Sequence, residues 1–387
     1  MDIRVADEMI GPDVELRDPV RLQLLEELQE MWGEVPQRTQ AVLLLCDITA
    51  LRYLVAAKDN PPLSSFAKEI LFGPRVDEIV AQWRQLFRSH STASSAQASP
   101  SPPPPPPAIG LETQSPEREE EAVMPPPPKR RRIGSLSLSS TAQGRSRRVS
   151  TRCKDRDGRR CVITKFEGPV HAAHIVPYSL NSNDTREAFF GLLKDFWAER
   201  TETLRNILKN GTDFVENMLT FTPTLHYSHA AGLFALQPVE ASHDGKSLKL
   251  KFYWLQQRES RSGTMVKIPE LPEFPNDVKL KGIKVYSIDD DHIIQSGEVM
   301  ELTTSDPEKY PLPNWDLLEI QWILQRLTAL RGAVDIPDTI LSESEDPSDY
   351  GYSEEVVVEE EEEEAEEEKA DRINNWIEAQ PTLQQVV

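Results

Sequence analysis

The chain has 387 residues, 31 of them proline, and a formal net charge of -21. Its three cysteines are too few and too scattered for a disulfide framework, which favours a reducing, intracellular setting. The N-terminus lacks the apolar core of a signal peptide, and no stretch approaches the roughly 18 apolar residues that span a bilayer. We therefore expect a soluble protein that has no membrane partner.

The negative charge is concentrated at one end of the chain. Residues 341–369 hold 15 acids and 1 base, a net charge of -14. Residues 150–260, in contrast, hold 15 bases and 13 acids and are close to neutral. The overall acidity therefore does not argue against a polyanionic substrate for this middle section.

The first 90 residues have the apolar periodicity of helices. Apolar side chains recur every three or four positions from Leu22 to Trp32, and similar patterns follow at 41–57 and 74–87. The pattern predicts a helical N-terminal module over residues 1–90, which could pack or bind protein partners.

Residues 91–148 predict a disordered linker. Two proline runs and many serines leave too little apolar area to offset the chain entropy that folding would cost. The linker contains a basic cluster, Lys129, Arg130, Arg131 and Arg132, which is typical of a nuclear import signal. The alternatives are a solvated charge run or non-specific contact with phosphates.

Residues 149–260 are the candidate catalytic domain. We expect short strands at 162–163 and 174–176, helices at 188–196 and 204–208, and strands at 234–239 and 248–254. Residues 261–333 predict a C-terminal extension ending in an amphipathic helix at 314–330. Residues 334–387 predict an acidic disordered tail, a second possible contact for protein partners.

Four of the seven histidines lie in two clusters that suit phosphodiester hydrolysis. They are His171, His174, His226 and His229. Such hydrolysis needs a base to activate water, and neutral histidine titrates near pH 7. A divalent metal with open coordination positions can neutralise phosphate charge. An asparagine amide, here Asn217, can fix the loop around the base by hydrogen bonds.

The order and spacing of these residues resemble the fungal-type HNH endonuclease domain. The likeness covers roughly residues 152–255 and rests on the following segments: Arg160-Cys161-Val162-Ile163-Thr164, Ala172-Ala173-His174-Ile175-Val176-Pro177, Asn217-Met218-Leu219-Thr220, Pro223-Thr224-Leu225-His226 and Gly232-Leu233-Phe234-Ala235-Leu236-Gln237-Pro238-Val239. Each segment is weak alone, but together they are fairly specific for the family.

The resemblance implies an α+β fold with a ββα-metal (His-Me finger) core and added strands and helices. It implies that His174 is the general base, that Asn217 holds the loop, and that His226 binds Mg²⁺ or Mn²⁺ at the start of a helix. Ala230 stands where the family usually has a second, acidic ligand. His229, three positions after His226, is close enough on a helix to replace that ligand.

Two further residues are expected to support the site. His171 has the opposite strand parity to His174, so we expect a supporting role for it rather than a ligand role. Cys161 is expected to be a small buried apolar residue. The sequence thus predicts a metal-dependent nuclear DNA endonuclease. The alternative is a nuclear scaffold that keeps the HNH fold for nucleic-acid or protein binding but has lost the reaction.

Overall fold

The computed structural model describes residues 4–5, 11–84, 147–258, 264–272, 274 and 284–332. It is a mixed structure of helices and strands. The basic cluster Lys129 to Arg132, most of the expected linker and all of the expected acidic tail lie outside the described residues, so their predictions remain predictions.

The described residues include ten α-helices, five of them before the linker. Local signals start several of these: Asp18 accepts a hydrogen bond from the Arg21 backbone N–H at the first turn of the first helix, with Pro19 at its first position. The helices are α1 (Pro19–Trp32), α2 (Gln37–Leu45), α3 (Ile48–Ala56), α4 (Pro61–Phe72), α5 (Arg75–Trp83), α6 (Arg147–Arg156), α7 (Asn183–Leu193), α8 (Ala198–Ile207), α9 (Pro223–Ala230) and α10 (Trp315–Leu330).

The strands described form one antiparallel sheet of four and three separate pairs. The bounds are β1 (Arg4–Val5), β2 (Val35–Pro36), β3 (His171–His174), β4 (Met218–Phe221), β5 (Phe234–Ala241), β6 (Ser247–Trp254), β7 (Met265–Val266), β8 (Tyr286–Ser287), β9 (His292–Ile293) and β10 (Val299–Thr303). The sheet has the order β1-β5-β6-β10, and the pairs are β2-β7, β3-β4 and β8-β9.

The strands expected at 234–239 and 248–254 are present as β5 and β6. In β6 the side chains alternate between buried and partly exposed as far as Phe252, because one face of the sheet packs on the core. The strands expected at 162–163 and 174–176 are placed differently. Residues 162–164 form a turn, and the strand that contains His174 ends at that residue.

α10 is not the amphipathic helix that its sequence suggested. Nearly all of its residues are buried, including Gln321, Gln325 and Arg326. These polar side chains have partners: Gln321 accepts from the Leu236 backbone N–H, and Arg326 pairs with Glu15 at 2.7 Å. The helix packs on β5 and is a central core element with buried, hydrogen-bonded polar groups.

The N-terminal helices share one hydrophobic core with the candidate domain. The Trp197 indole N–H donates to the Leu45 carbonyl at 2.9 Å, and the rings of Trp83 and Phe189 are stacked. Gln37 donates to the Leu330 carbonyl at the end of α10. Helices from before the linker therefore stabilise the part of the chain that follows it.

Among the residues that the structure describes, no single helix is long and apolar enough to cross a membrane. Only Gln37–Leu45 and Ile48–Asp59 together pass the length and composition test, and they are bent by 119°.

The contact between Trp197 and Leu45 predicts that the N-terminal helices and the candidate domain depend on each other for stability. Replacing Trp197, which is fully buried, by phenylalanine leaves the Leu45 carbonyl without its donor and leaves a small void. We expect the free energy of unfolding to fall by about 1–3 kcal/mol in urea denaturation. Tyr53→Ala, at a side chain that is 61% exposed, should change it by less than about 0.5 kcal/mol. Equal effects would contradict the shared core.

Candidate active site

The candidate site is built on β3, β4 and α9. The two strands are antiparallel, with His171 opposite Phe221 and His174 opposite Met218. α9 follows β4 after one residue, and Thr222 caps it by accepting a hydrogen bond from the Leu225 backbone N–H. Because side chains alternate along a strand, His171 and His174 lie on opposite faces of the pair.

His174, the expected base, contacts an acid that the sequence analysis did not identify. Its Nε2 lies 3.2 Å from Asp213 Oδ1, and its ring packs against Tyr178. An ionised carboxylate only accepts hydrogen bonds, so a neutral His174 ring donates from Nε2 and keeps Nδ1 as its basic nitrogen. The pair is largely buried, with side-chain exposures of 5% for His174 and 15% for Asp213.

Asn217 joins the segments on either side of this pair. Its Oδ1 accepts from the Val176 backbone N–H at 2.8 Å, and its Nδ2 donates to the Val176 carbonyl at 2.9 Å. The same Nδ2 donates to the Thr212 carbonyl at 2.7 Å. Val176 is two residues after His174, and Thr212 directly precedes Asp213. The fully buried Asn217 amide therefore fixes the His174 segment relative to the Asp213 loop.

On the other face, His226 contacts His171. Their Nδ1 atoms are 3.3 Å apart, and the two rings meet edge to face with centroids at 5.5 Å. His171 is buried, whereas His226 is partly exposed. The resemblance implied that His226 would hold a cation beside the base, but the ring contact that places His226 is with His171. His171, for which the sequence analysis expected a supporting role, is thus the direct neighbour of His226, the expected ligand.

His229 points into an aromatic core. Its ring packs between Phe221 and Phe234, with centroid distances of 5.4 and 5.5 Å. Burial lowers the pKa of His229 to about 4, so the ring is neutral at physiological pH. Its Nε2 has no hydrogen-bond partner. Because the ring faces two phenylalanines, its surroundings fit a packing role better than the ligand role that its spacing from His226 suggested.

The strand pair is also held from the α6 side. Arg156 forms a buried ion pair with Asp157 at 2.8 Å and donates to the Met218 carbonyl, and Asp157 accepts from the Thr220 backbone N–H. Cys161 is fully buried as expected, and its Sγ accepts from the Thr164 backbone N–H. These contacts anchor β4 before α9 begins.

The comparisons with known proteins agree with this arrangement in one region. Residues 161–237 match the family model described as HNH endonuclease. This region of the chain is therefore similar to an HNH endonuclease domain, and we call it the HNH domain. No curated protein and no solved structure matches the chain. The HNH match suggests nuclease activity on nucleic acid, and it spans every histidine of the two clusters.

The HNH domain brings together a different set of contacts from the one expected. His174 and Asn217 lie on the same side of the site, joined through backbone contacts, with Asp213 added. Asp213 has no local signal in the sequence, because it lies in a loop and reaches His174 only through folding. His171 could have been found only by knowing that α9 covers its face of β3.

HNH nucleases are generally dependent on a divalent metal, and the donors present in this domain fit one only in part. Within the described ranges, no group of three or more His, Cys, Asp or Glu side chains is placed to hold a metal ion. The His171–His226 pair supplies two ring nitrogens 3.3 Å apart. A site with two protein ligands would leave most coordination positions open for water or phosphate.

Removing the Asn217 side chain should destabilise the site measurably. Asn217→Ala leaves three buried backbone groups of Val176 and Thr212 without their partner. We expect a loss of about 2–4 kcal/mol in the free energy of unfolding, measured by chemical denaturation. Asn210→Ala, at an exposed position, is the matched control and should cost less than about 0.5 kcal/mol. A similar loss in both variants would contradict the role of the clamp.

His229 predicts a specific loss of stability in acid. Its pKa in the folded protein, about 4, lies below the ordinary histidine value of 6.5, so between these values the unfolded chain binds more protons. Stability is therefore retained above pH 6.5 and falls as the pH drops towards 4. Between pH 7 and pH 5 the loss should be about 2 kcal/mol in wild type. His229→Leu should lack this component, whereas His243→Ala should keep it. A wild-type slope in His229→Leu would refute the assignment.

Proposed function

We propose that the HNH domain is a metal-dependent endonuclease that hydrolyses phosphodiester bonds in DNA. The observation that carries the proposal is the His174–Asp213 pair held by the Asn217 clamp, inside the segment that matches the HNH endonuclease family. An imidazole with a fixed orientation and one basic nitrogen is suited to activating water.

In this mechanism His174 is the general base. Its Nδ1 takes a proton from the water that attacks phosphorus, and Asp213 holds the ring by accepting from Nε2. In this proposal Asp213 acts through the ring of His174 and is a positioning residue. Asn217 acts indirectly, because its amide fixes the two segments that carry His174 and Asp213. We infer that Asn217 is needed for geometry rather than for proton transfer.

We further propose that β3, β4 and α9 are the ββα-metal core of this domain. The support is the order of the elements: an antiparallel strand pair is followed at once by a helix that carries His226 in its second turn. When bound, a divalent ion would neutralise developing charge on the phosphate. His226 is the helix residue that would hold it. His229 is left out of this proposal because its ring faces Phe221 and Phe234.

DNA as substrate is supported by the charge near the site. α6 carries exposed Arg147 and Arg148 and packs against both β3 and β4. Cationic side chains on that helix can contact phosphates without reading sequence. An intracellular, nuclear location is part of the same proposal, and it rests on the basic cluster Lys129 to Arg132 in the sequence.

A second candidate function is a scaffold that binds nucleic acid or protein through the HNH fold but does not cleave. It is favoured by Ala230, which stands where the family usually has an acidic ligand, and by the lack, among the described residues, of a group of three metal-binding side chains. This alternative predicts DNA binding without turnover.

A plasmid-nicking assay separates the two functions. The purified full chain is incubated with supercoiled DNA and Mg²⁺ or Mn²⁺. We expect His174→Ala to lose at least about 100-fold in rate, because general-base catalysis contributes roughly that much or more. Asp213→Asn should lower kcat with little change in KM, since Asp213 positions the base and does not touch substrate.

His243→Ala is the matched control, since His243 is exposed in a turn remote in sequence from the site. It should cleave at the wild-type rate. Equal cleavage by wild type and His174→Ala would reveal a contaminating nuclease and overturn the assignment of the base. Wild-type DNA binding with no cleavage in either metal, nor in Zn²⁺ or Co²⁺, would establish the scaffold function.

A further inference from the structure

Two histidines from distant parts of the chain meet through the same ring atom. The Nδ1 atoms of His171 on β3 and His226 on α9 are 3.3 Å apart, and the rings are nearly perpendicular at 85°. Without a metal, this contact requires one ring to donate and the other to accept. If the donor ring instead carries its proton on Nε2, both neutral rings have a lone pair on Nδ1, and the two nitrogens can bind one cation.

The separation of the nitrogens suits some ions better than others. Zinc–nitrogen bonds of 2.0–2.1 Å at a tetrahedral angle place two nitrogens about 3.3–3.4 Å apart. An octahedral ion with bonds of 2.0–2.1 Å would bring neighbouring ligands to about 2.9 Å. The observed 3.3 Å is the length of a hydrogen-bond contact, and it needs the smaller adjustment for a tetrahedral ion. The donor type agrees, since imidazole nitrogen suits zinc, nickel and similar ions, whereas magnesium prefers oxygen.

His171 occupies a place left open by its neighbours. Ala173 lies on the same face of β3 and has only a methyl group, and Ala230, four residues after His226 on α9, is exposed. His229 is turned into the aromatic core. Of the histidines in the two clusters, the ring that the structure places against His226 is therefore His171.

The His171–His226 pair is buried on one side and borders solvent on the other. His171 is buried within the strand pair, while His226 is partly exposed at the second turn of α9. The next residue, Tyr227, is 46% exposed, so this side of the helix borders solvent. An ion held by the two nitrogens would keep open positions for water or a phosphate oxygen, which is the arrangement of catalytic rather than structural sites.

We propose that His171 is the second protein ligand of the metal site and that the His171–His226 pair selects a transition ion of the Zn²⁺, Co²⁺ or Ni²⁺ type over Mg²⁺. The use of this ion in cleavage rests on the proposed nuclease function, but its binding does not. His171 would thus supply the second ligand that Ala230 cannot provide.

Metal binding to the full chain tests the proposal without any cleavage assay. Protein stripped with a chelator is titrated with Co²⁺, and the visible absorption of the bound ion is recorded, followed by competition with Zn²⁺ and with Mg²⁺. The variants are His171→Leu, His171→Gln and His226→Leu, with His243→Ala as the matched control. Circular dichroism and the melting temperature of each metal-free variant establish that it is folded.

We expect one Co²⁺ per wild-type chain, displaced by Zn²⁺ but not by a large excess of Mg²⁺. Each site variant should bind at least about 100-fold more weakly, a loss beyond the roughly 10- to 100-fold caused by removing an outer-shell partner. The His243→Ala variant should match wild type. Wild-type Co²⁺ affinity in a folded His171→Leu or His171→Gln variant would overturn the proposal, as would displacement by Mg²⁺ at concentrations comparable to Zn²⁺.

Plasmid nicking in the same preparations separates this inference from the proposed function. Binding of Co²⁺ through both histidines without nicking in any metal would uphold the metal site and reject the nuclease. Nicking that depends on His174 but survives in His171→Leu with unchanged metal affinity would uphold the nuclease and reject His171 as a ligand.

Discussion

The three hydrogen bonds of the Asn217 amide are the constraint on which the candidate site depends. They connect Val176 and Thr212, which are 36 residues apart in sequence, through one buried side chain. Leaving these buried groups without hydrogen bonds would cost free energy, so the segments that carry Val176, Thr212 and Asn217 are held in one geometry. The insertion between them, which contains α7 and α8, can therefore be long without loosening the contact between His174 and Asp213.

A strand of four residues separates two kinds of chemistry. Because side chains alternate, β3 presents His174 to Asp213 on one face and His171 to His226 on the other. On the first face a carboxylate acceptor orients an imidazole, as a base requires. On the second face two imidazoles converge, as a cation site requires. The proposed function requires that the water activated by His174 and the phosphate bound near His226 meet at the edge of this strand pair.

The rest of the molecule supports this small frame. Arg156 and Asp157 hold β4 from α6, and α10 holds α9 through the hydrogen bond from Gln325 to the His229 carbonyl. The N-terminal helices pack on α7 and α10 and complete the core. The buried Arg326–Glu15 pair is costly to desolvate, and it is tolerated because the guanidinium also lies over the Trp322 ring at 4.1 Å.

The sequence alone determined what local chemistry and periodicity can specify. The spacing of apolar residues predicted α1, α5, α10 and the long hairpin of β5 and β6, but not α4 or α6. The ordered motifs around His174, Asn217 and His226 indicated the HNH nuclease domain that the family match supports. Strand parity correctly separated His171 from His174. Boundaries within turns, such as residues 162–164, were less well predicted, because no periodic signal extends over so few residues.

Only the tertiary structure decided the partners. Asp213 lies in a loop, and its contact with His174 depends on the path of a chain segment whose sequence carries no pattern. The helix α10 looked amphipathic because its glutamines and arginine are polar, yet their partners are in other elements and allow burial. His229 and His171 have contacts that their positions in the sequence did not predict, for the same reason. Spacing along a helix or strand fixes the face on which a residue lies, but packing decides what covers that face.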